Sequence, residues 1–125
     1  LATELGQIMQ SDALWLTYDM ITPNDVYGKN MIRNLQNVGF EIPGLKDFPT
    51  LEDQKDRFLL TGWSDAHSCN MRFYYDKLLP QESKERISKL EILDEVEEWN
   101  MLMEHYSLTI ATKGANLGDI LNTIP

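Results

Sequence analysis

Tyr18-Asp19 closes a run of apolar residues, and Asn24-Asp25-Val26-Tyr27-Gly28 follows at the entry to a helical pattern. Carboxylates and phenols at such a place can hydrogen-bond, orient and desolvate a ligand, because open α/β sheets put their binding groups just beyond the carboxyl ends of the strands. A plainer reading stands beside this one: Asp25 is a good N-cap for the helix that follows, and Tyr18-Asp19 is ordinary strand-end chemistry. The residues by themselves favour the plainer reading. Other chemistry is scarce. His67 and His105 lie far apart, with no cysteine or carboxylate at a metal-ligand spacing, and read as structural. Cys69 has no adjacent cation to activate it and reads as a buried, inert thiol. Neither G-x-G-x-x-G nor G-x-x-x-x-G-K-[ST] occurs, so no phosphate or dinucleotide loop can be assigned. The three tryptophans read as core.

The elements that must position these residues follow from periodicity. Leu1, Leu5, Ile8 and Met9 mark a short helix that Ser11-Asp12 ends. Ala13 to Tyr18 is continuously apolar rather than alternating, which predicts a strand covered on both faces in a parallel sheet. Met31, Leu35 and Val38 give a helix from Val26 to Val38 that Gly39 closes, and a loop containing Pro43-Gly44 follows. Thr50 and Asp53 form a near capping box for a helix from Leu51 to Thr61, with Gly62 as its C-terminal cap. Trp63 to Met71 alternates weakly and predicts a peripheral strand, and Arg72 to Leu79 a turn of helix. Pro80 suits a first helical position, ahead of possible i,i+4 pairs Glu82 with Arg86 and Glu85 with Lys89. Ile92, Val96, Trp99, Met103 and Tyr106 give a buried helical stripe, and Tyr106 to Thr112 alternates as a half-buried strand. The order of helices and strands predicts α/β organisation, with too few strands for a complete sheet.

Composition narrows the function classes. The 125 residues suit one domain or part of one, and a formal net charge of -9 repels phosphate backbones and argues against a self-standing nucleic-acid binder. The acidic stretch Glu91 to Glu104 could face a basic partner in a non-enzymatic module, although such charge runs are usually solvated surface. One cysteine permits no intramolecular disulfide and points to a reducing, cytoplasmic setting. No apolar run approaches the roughly 20 residues of a membrane helix. The sequence begins at Leu1 within a helix-like stretch, from which we expect a start inside a longer protein.

Taken in order, several blocks resemble the end of the leucine carboxyl methyltransferase family. They are Tyr18-Asp19 with Asp25-Val26-Tyr27-Gly28, Met31 and Asn34-Leu35; Gln54 with Arg57-Phe58 and Gly62-Trp63; Leu93-Asp94-Glu95; and His105-Tyr106 with Ala111-Thr112-Lys113-Gly114. The resemblance implies the C-terminal part of a class I, Rossmann-like S-adenosylmethionine-dependent methyltransferase. Its sheet is mostly parallel with one reversed strand near the C-terminal edge. Ala13 to Tyr18 would be the fifth strand, Trp63 to Met71 the sixth and Tyr106 to Thr112 the reversed seventh. Residues 1–125 would then be part of a single domain whose cofactor-binding N-terminal half precedes Leu1, leaving no cofactor-binding, catalytic or metal residue to assign here. One family branch methylates the C-terminal leucine carboxylate of the protein phosphatase 2A catalytic subunit, and another acts on wybutosine in tRNA. Glu97-Glu98-Trp99 and Phe48-Pro49 look closer to the tRNA branch, whereas acidity, His105-Tyr106 with Ala111-Thr112-Lys113-Gly114, and the Met101 to Glu104 stretch look closer to the protein-methylating branch, which is modestly preferred. On this resemblance Tyr18, Asp19, Asp25, Tyr27 and Met31 are expected to face the substrate.

Overall fold

Ser11-Asp12 interrupts the first helix, and the β-favouring Trp15, Thr17 and Tyr18 then extend the chain. In the computed structural model, which describes residues 1–9 and 11–114, helix α1 (Ala2–Ile8) leads into strand β1 (Ala13–Met20). Helix α2 (Val26–Asn37), the short α3 (Gly44–Asp47), helix α4 (Leu51–Leu59) and strand β2 (Asp65–Asn70) follow. A single turn α5 (Met71–Phe73) runs into a π-helical turn at Tyr74–Leu78; then come α6 (Gln81–Ser88), α7 (Val96–Glu104) and strand β3 (Tyr106–Lys113). Residues 115–125, read from the sequence as part of the same domain, lie outside the described residues.

The three strands form one sheet in the order β1-β3-β2, and the last strand in sequence is antiparallel to both neighbours. Ala13 pairs with Lys113 and Met20 with Tyr106 on one side, and Asp65 pairs with Thr112 on the other. The expectation of α/β organisation with a reversed final strand agrees with this arrangement. Helix α4 supplies the cover. Its capping box is complete: the Asp53 N–H donates to Thr50 Oγ1 at 3.2 Å, and the Thr50 N–H donates to Asp53 Oδ2 at 3.0 Å. These bonds satisfy the first orphan donors and fix where the helix begins. Gly62, at φ 89°, supplies the left-handed turn after it. Phe58 then meets Ala13, Trp63, Ala66 and Ala111 in the core, with Trp15 packed against them.

Several expectations need correction. Strand β1 is covered on one face only: Leu14, Leu16 and Tyr18 are 49%, 59% and 55% exposed, whereas Trp15, Thr17 and Asp19 turn toward α4. Helix α4 packs on one side of this strand, and on the other side of the sheet α5 and α7 contact β3 instead. Strand β2 is shorter than Trp63 to Met71, because Trp63 stays in the connection and fills the core. The stripe from Ile92 to Tyr106 is not one helix. Helix α7 starts at Val96, Ile92 is 85% exposed, and Tyr106 already belongs to β3. Glu97 and Glu98 explain the late start, since carboxylates are favoured in a first helical turn by the macrodipole. Trp99 is half-buried, edge-on to Tyr75 at 4.8 Å. In α6 the Glu85 carboxylate accepts from Gln81 Nε2 at 3.2 Å rather than pairing with Lys89.

Candidate functional site

The chain leaves β1 through a strained turn. Thr22 is β-branched yet sits at φ 58°, a left-handed conformation costing about 1–3 kcal/mol for such a residue. Its N–H donates to the Pro49 carbonyl at 2.8 Å, which pins the turn to the start of α4. The turn delivers Asp25 to the N-cap of α2, where Asp25 Oδ1 accepts from the Gly28 N–H at 2.7 Å. Gly28 is required by close approach: a Cβ there would meet the Thr22 carbonyl oxygen and come within 2.8 Å of the Pro23 backbone. Gly28→Ala should therefore lower the unfolding free energy by about 1–3 kcal/mol, the usual cost of overpacking. Thermal denaturation checks it, and an unchanged melting temperature would mean that the turn relaxes freely.

Asp25 has a second partner 80 residues away. His105, the last residue before β3, is 4% exposed and sets Nε2 at 2.9 and 3.0 Å from the two Asp25 carboxylate oxygens. Its Nδ1 lies 2.7 Å from the Met101 carbonyl of α7, and its own carbonyl accepts from the Ile21 N–H at 2.9 Å. The Tyr27 ring packs on the imidazole with centroids 4.5 Å apart. Hydrogen bonding from Gly28 holds the Asp25 carboxyl below its ordinary value of 3.8, with His105 helping and partial burial opposing. The sign for stability follows: a depressed carboxylate contributes stability that is present above the unfolded value and is lost as pH falls through the folded one. Below about pH 4 the melting temperature of the wild type should therefore fall more steeply than that of Asp25→Asn. Parallel acid profiles would contradict this.

Asp19 points the other way from Tyr18, as strand geometry demands. Arg57 of α4 donates to Asp19 Oδ2 at 2.7 Å, and the Thr17 hydroxyl donates to the same oxygen at 2.9 Å. The guanidinium lies between two aromatic rings, 5.4 Å from the Phe48 centroid and 4.9 Å from that of Phe58. On the open face Tyr18 stacks on Tyr106 at 4.9 Å, and burial together with Tyr106 pushes the Tyr18 phenol up. Of the five residues singled out by sequence, Asp25 and Tyr27 come together around His105. Tyr18 and Asp19 lie on opposite faces of β1, and Met31 is half-buried one turn further along α2. Sequence reasoning assigned His105 a structural place and Arg57 no role. Only their presence in the blocks that carried the family resemblance singled them out.

Beside the site, a cavity of about 280 Å³ lies between α2 and residues 40–47, lined by Ile32, Leu35, Phe40, Ile42 and Leu45, with Pro23 of the turn also on its wall. Among the described residues no three His, Cys, Asp or Glu side chains gather as metal ligands. No described helix is long and apolar enough to cross a membrane. Cys69 is half-buried, and burial pushes its thiol up, away from nucleophilic chemistry.

No family model matches the chain. Individual proteins do. It is 39% identical over 102 residues to leucine carboxyl methyltransferase 1 of Rattus norvegicus, covering 82% of this chain and 30% of that protein. To the leucine carboxyl methyltransferase 1 homolog of Arabidopsis thaliana it is 38% identical over 105 residues, covering 84% of this chain and 32% of that one. To tRNA wybutosine-synthesizing protein 4 of Rattus norvegicus it is 32% identical over 114 residues, covering 91% of this chain and 16% of the relative. Two of these three relatives are named as methyltransferases. The chain is homologous, over most of its length, to a segment of proteins named leucine carboxyl methyltransferase 1 and tRNA wybutosine-synthesizing protein 4, and it spans less than a third of the length of these relatives.

Proposed function

We propose that residues 1–125 are the C-terminal part of a class I, Rossmann-like carboxyl methyltransferase that uses S-adenosylmethionine and acts on a protein's C-terminal leucine carboxylate, that of the protein phosphatase 2A catalytic subunit. The observation that carries this reading is the identity of 34–39% with proteins named for leucine carboxyl methylation, against 32–33% with wybutosine-synthesizing proteins. The reversed β3 beside β1 is what the C-terminal edge of such a sheet requires. A cytoplasmic setting fits the lone cysteine. The wybutosine reading has one observation in its favour, its alignment over 91% of this chain.

S-adenosylmethionine supplies the methyl group in such a reaction. On this reading the cofactor is held mainly by the part of the enzyme that this segment does not span. What this chain contributes is positioning. A carboxylate is already a nucleophile, so no residue has to remove a proton from it; it has to be held in line and kept from water. Tyr18 and Asp19 lie at the end of β1, where α/β sheets bind ligands, and Asp25, Tyr27 and Met31 follow at the start and along the first turns of α2. Two of these five are acids, which would repel a carboxylate substrate if left bare. Arg57 offsets Asp19, and the His105 ring is hydrogen-bonded to Asp25.

The test is methyl transfer by the enzyme containing this segment to a peptide ending in leucine, to its C-terminally amidated twin, and to tRNA. Base-labile methyl ester on the free-acid peptide alone is the expected result. Transfer to tRNA without transfer to either peptide would sink the assignment.

A further inference from the structure

The surroundings of His105 leave its ring only one way to satisfy both nitrogens. Nδ1 faces the Met101 carbonyl at 2.7 Å and Nε2 faces the Asp25 carboxylate at 2.9 Å. A carbonyl and an ionised carboxylate only accept hydrogen bonds, so each ring nitrogen has to donate. The ring is 4% exposed while the Asp25 carboxylate reaches solvent, and a neutral imidazole, carrying one such proton, would leave one of its two buried nitrogens facing an acceptor without a hydrogen to share.

We propose that His105 is the positioning residue of this site: as a doubly protonated imidazolium it locks the N-terminus of α2, and with it the Tyr27 ring, onto the end of α7 and the start of β3. The inference deepens the methyltransferase reading and rests on it for the meaning of the lock, though not for its existence. Three elements meet at the ring. From α2 come the Asp25 carboxylate and the Tyr27 ring face; from α7 comes the Met101 carbonyl; from the end of β1 comes the Ile21 N–H, which binds the His105 backbone. Other nearby charges are engaged elsewhere. Glu104, next in sequence, pairs with Arg72, and Asp19 pairs with Arg57. Asp25 is thus the carboxylate that holds the ring's second proton.

Geometry also explains why one aspartate serves twice. Its Oδ1 already accepts from the Gly28 N–H, and both oxygens lie within 3.0 Å of His105 Nε2. Helix start and histidine are therefore held by a single carboxylate, and releasing the proton from the ring frees one side of the clamp. Tyr27 is two residues from that clamp and rests on the ring it controls.

Asp25→Asn separates the two duties, because asparagine caps a helix about as well as aspartate but carries no charge to hold the proton. The chain has only two histidines, so ring nitrogens labelled with nitrogen-15 can be assigned directly. At neutral pH the wild-type chain should show both His105 nitrogens protonated, and contacts between the Tyr27 ring and the imidazole by nuclear Overhauser effect. In Asp25→Asn one ring proton should be lost while the link survives, because the amide can donate to the bared Nε2; in Asp25→Ser, which still caps the helix but is too short to reach the ring, the Tyr27 contacts should be lost. His105→Gln, which can still donate to one acceptor, should lose the ordered Tyr27 resonances as well. A singly protonated wild-type ring, an Asp25→Asn chain that retains the second ring proton, or an Asp25→Ser chain that retains the Tyr27 contacts overturns the lock. In the complete enzyme Asp25→Ser should lose roughly ten- to a hundredfold in kcat/KM, as expected for a displaced positioning group; undiminished turnover there would overturn the positioning role. Absence of methyl transfer by the wild type would count against the functional reading alone and leave the spectroscopic result standing.

Discussion

Phe58→Ala should lower the unfolding free energy by about 3–5 kcal/mol, the usual cost of truncating a fully buried aromatic ring. Phe58 is 1% exposed and lies at the centre of the contact between α4 and the sheet, with its ring 5.9 Å from Trp15 and 5.8 Å from Trp63. Tilted and edge-on ring pairs add about 0.5–1.5 kcal/mol each beyond burial, so neighbouring residues cannot close the hole without giving these up. Arg57 also loses the ring beneath its guanidinium, which loosens the group that neutralises Asp19. Domains of this size are stable by only about 5–15 kcal/mol, so the loss is a large fraction of the whole. Urea denaturation followed by tryptophan fluorescence measures it, since Trp15 and Trp63 report directly on this contact. A loss below about 1 kcal/mol would mean that α4 is not seated on the sheet as described.

Local signals were the ones the sequence made legible. Thr50 and Asp53 are three residues apart, and the box they form depends on nothing else. Tyr106 to Thr112 alternates because β3 lies between two strands with its two faces packed to different depths. Trouble began where a pattern had two causes. An apolar run such as Ala13 to Tyr18 implies cover on both faces, yet α4 covers one and the other keeps Leu14, Leu16 and Tyr18 exposed. Helical spacing likewise continued from Ile92 through Val96 across a stretch that is not helical, because periodicity carries no information about where acids prefer a helix to begin.

The site was half legible. Asp25 as N-cap and as a member of a binding cluster had been set against each other, and in the structure the carboxylate that caps α2 also holds His105. Nothing local in the sequence marks that second contact, which joins residues 80 apart, or the Arg57 contact to Asp19 across 38 residues. A buried histidine has no sequence signature of its own. Strand parity, by contrast, is legible in the sequence: adjacent residues point to opposite faces, so Tyr18 and Asp19 leave β1 on different sides.

Tyr27→Ala should reduce methyl transfer on the order of a hundredfold while costing little stability. Tyr27 is only half-buried, and its recorded ring contact is with His105, so truncation opens no core cavity. Removing Asp25 as a mere N-cap would cost about 1 kcal/mol and leave the folded fraction fully active. Removing a group that holds the substrate carboxylate in line acts on the rate instead, because a displacement of about 1 Å from the productive geometry can cost a hundredfold. The two effects separate when both are measured on the same preparations. Turnover per folded molecule, with the melting temperature recorded alongside, is the most direct measurement of whether the end of β1 and the start of α2 carry the substrate. The account predicts a hundredfold loss for Tyr27→Ala with a melting temperature close to wild type, and wild-type turnover in the folded variant would contradict it.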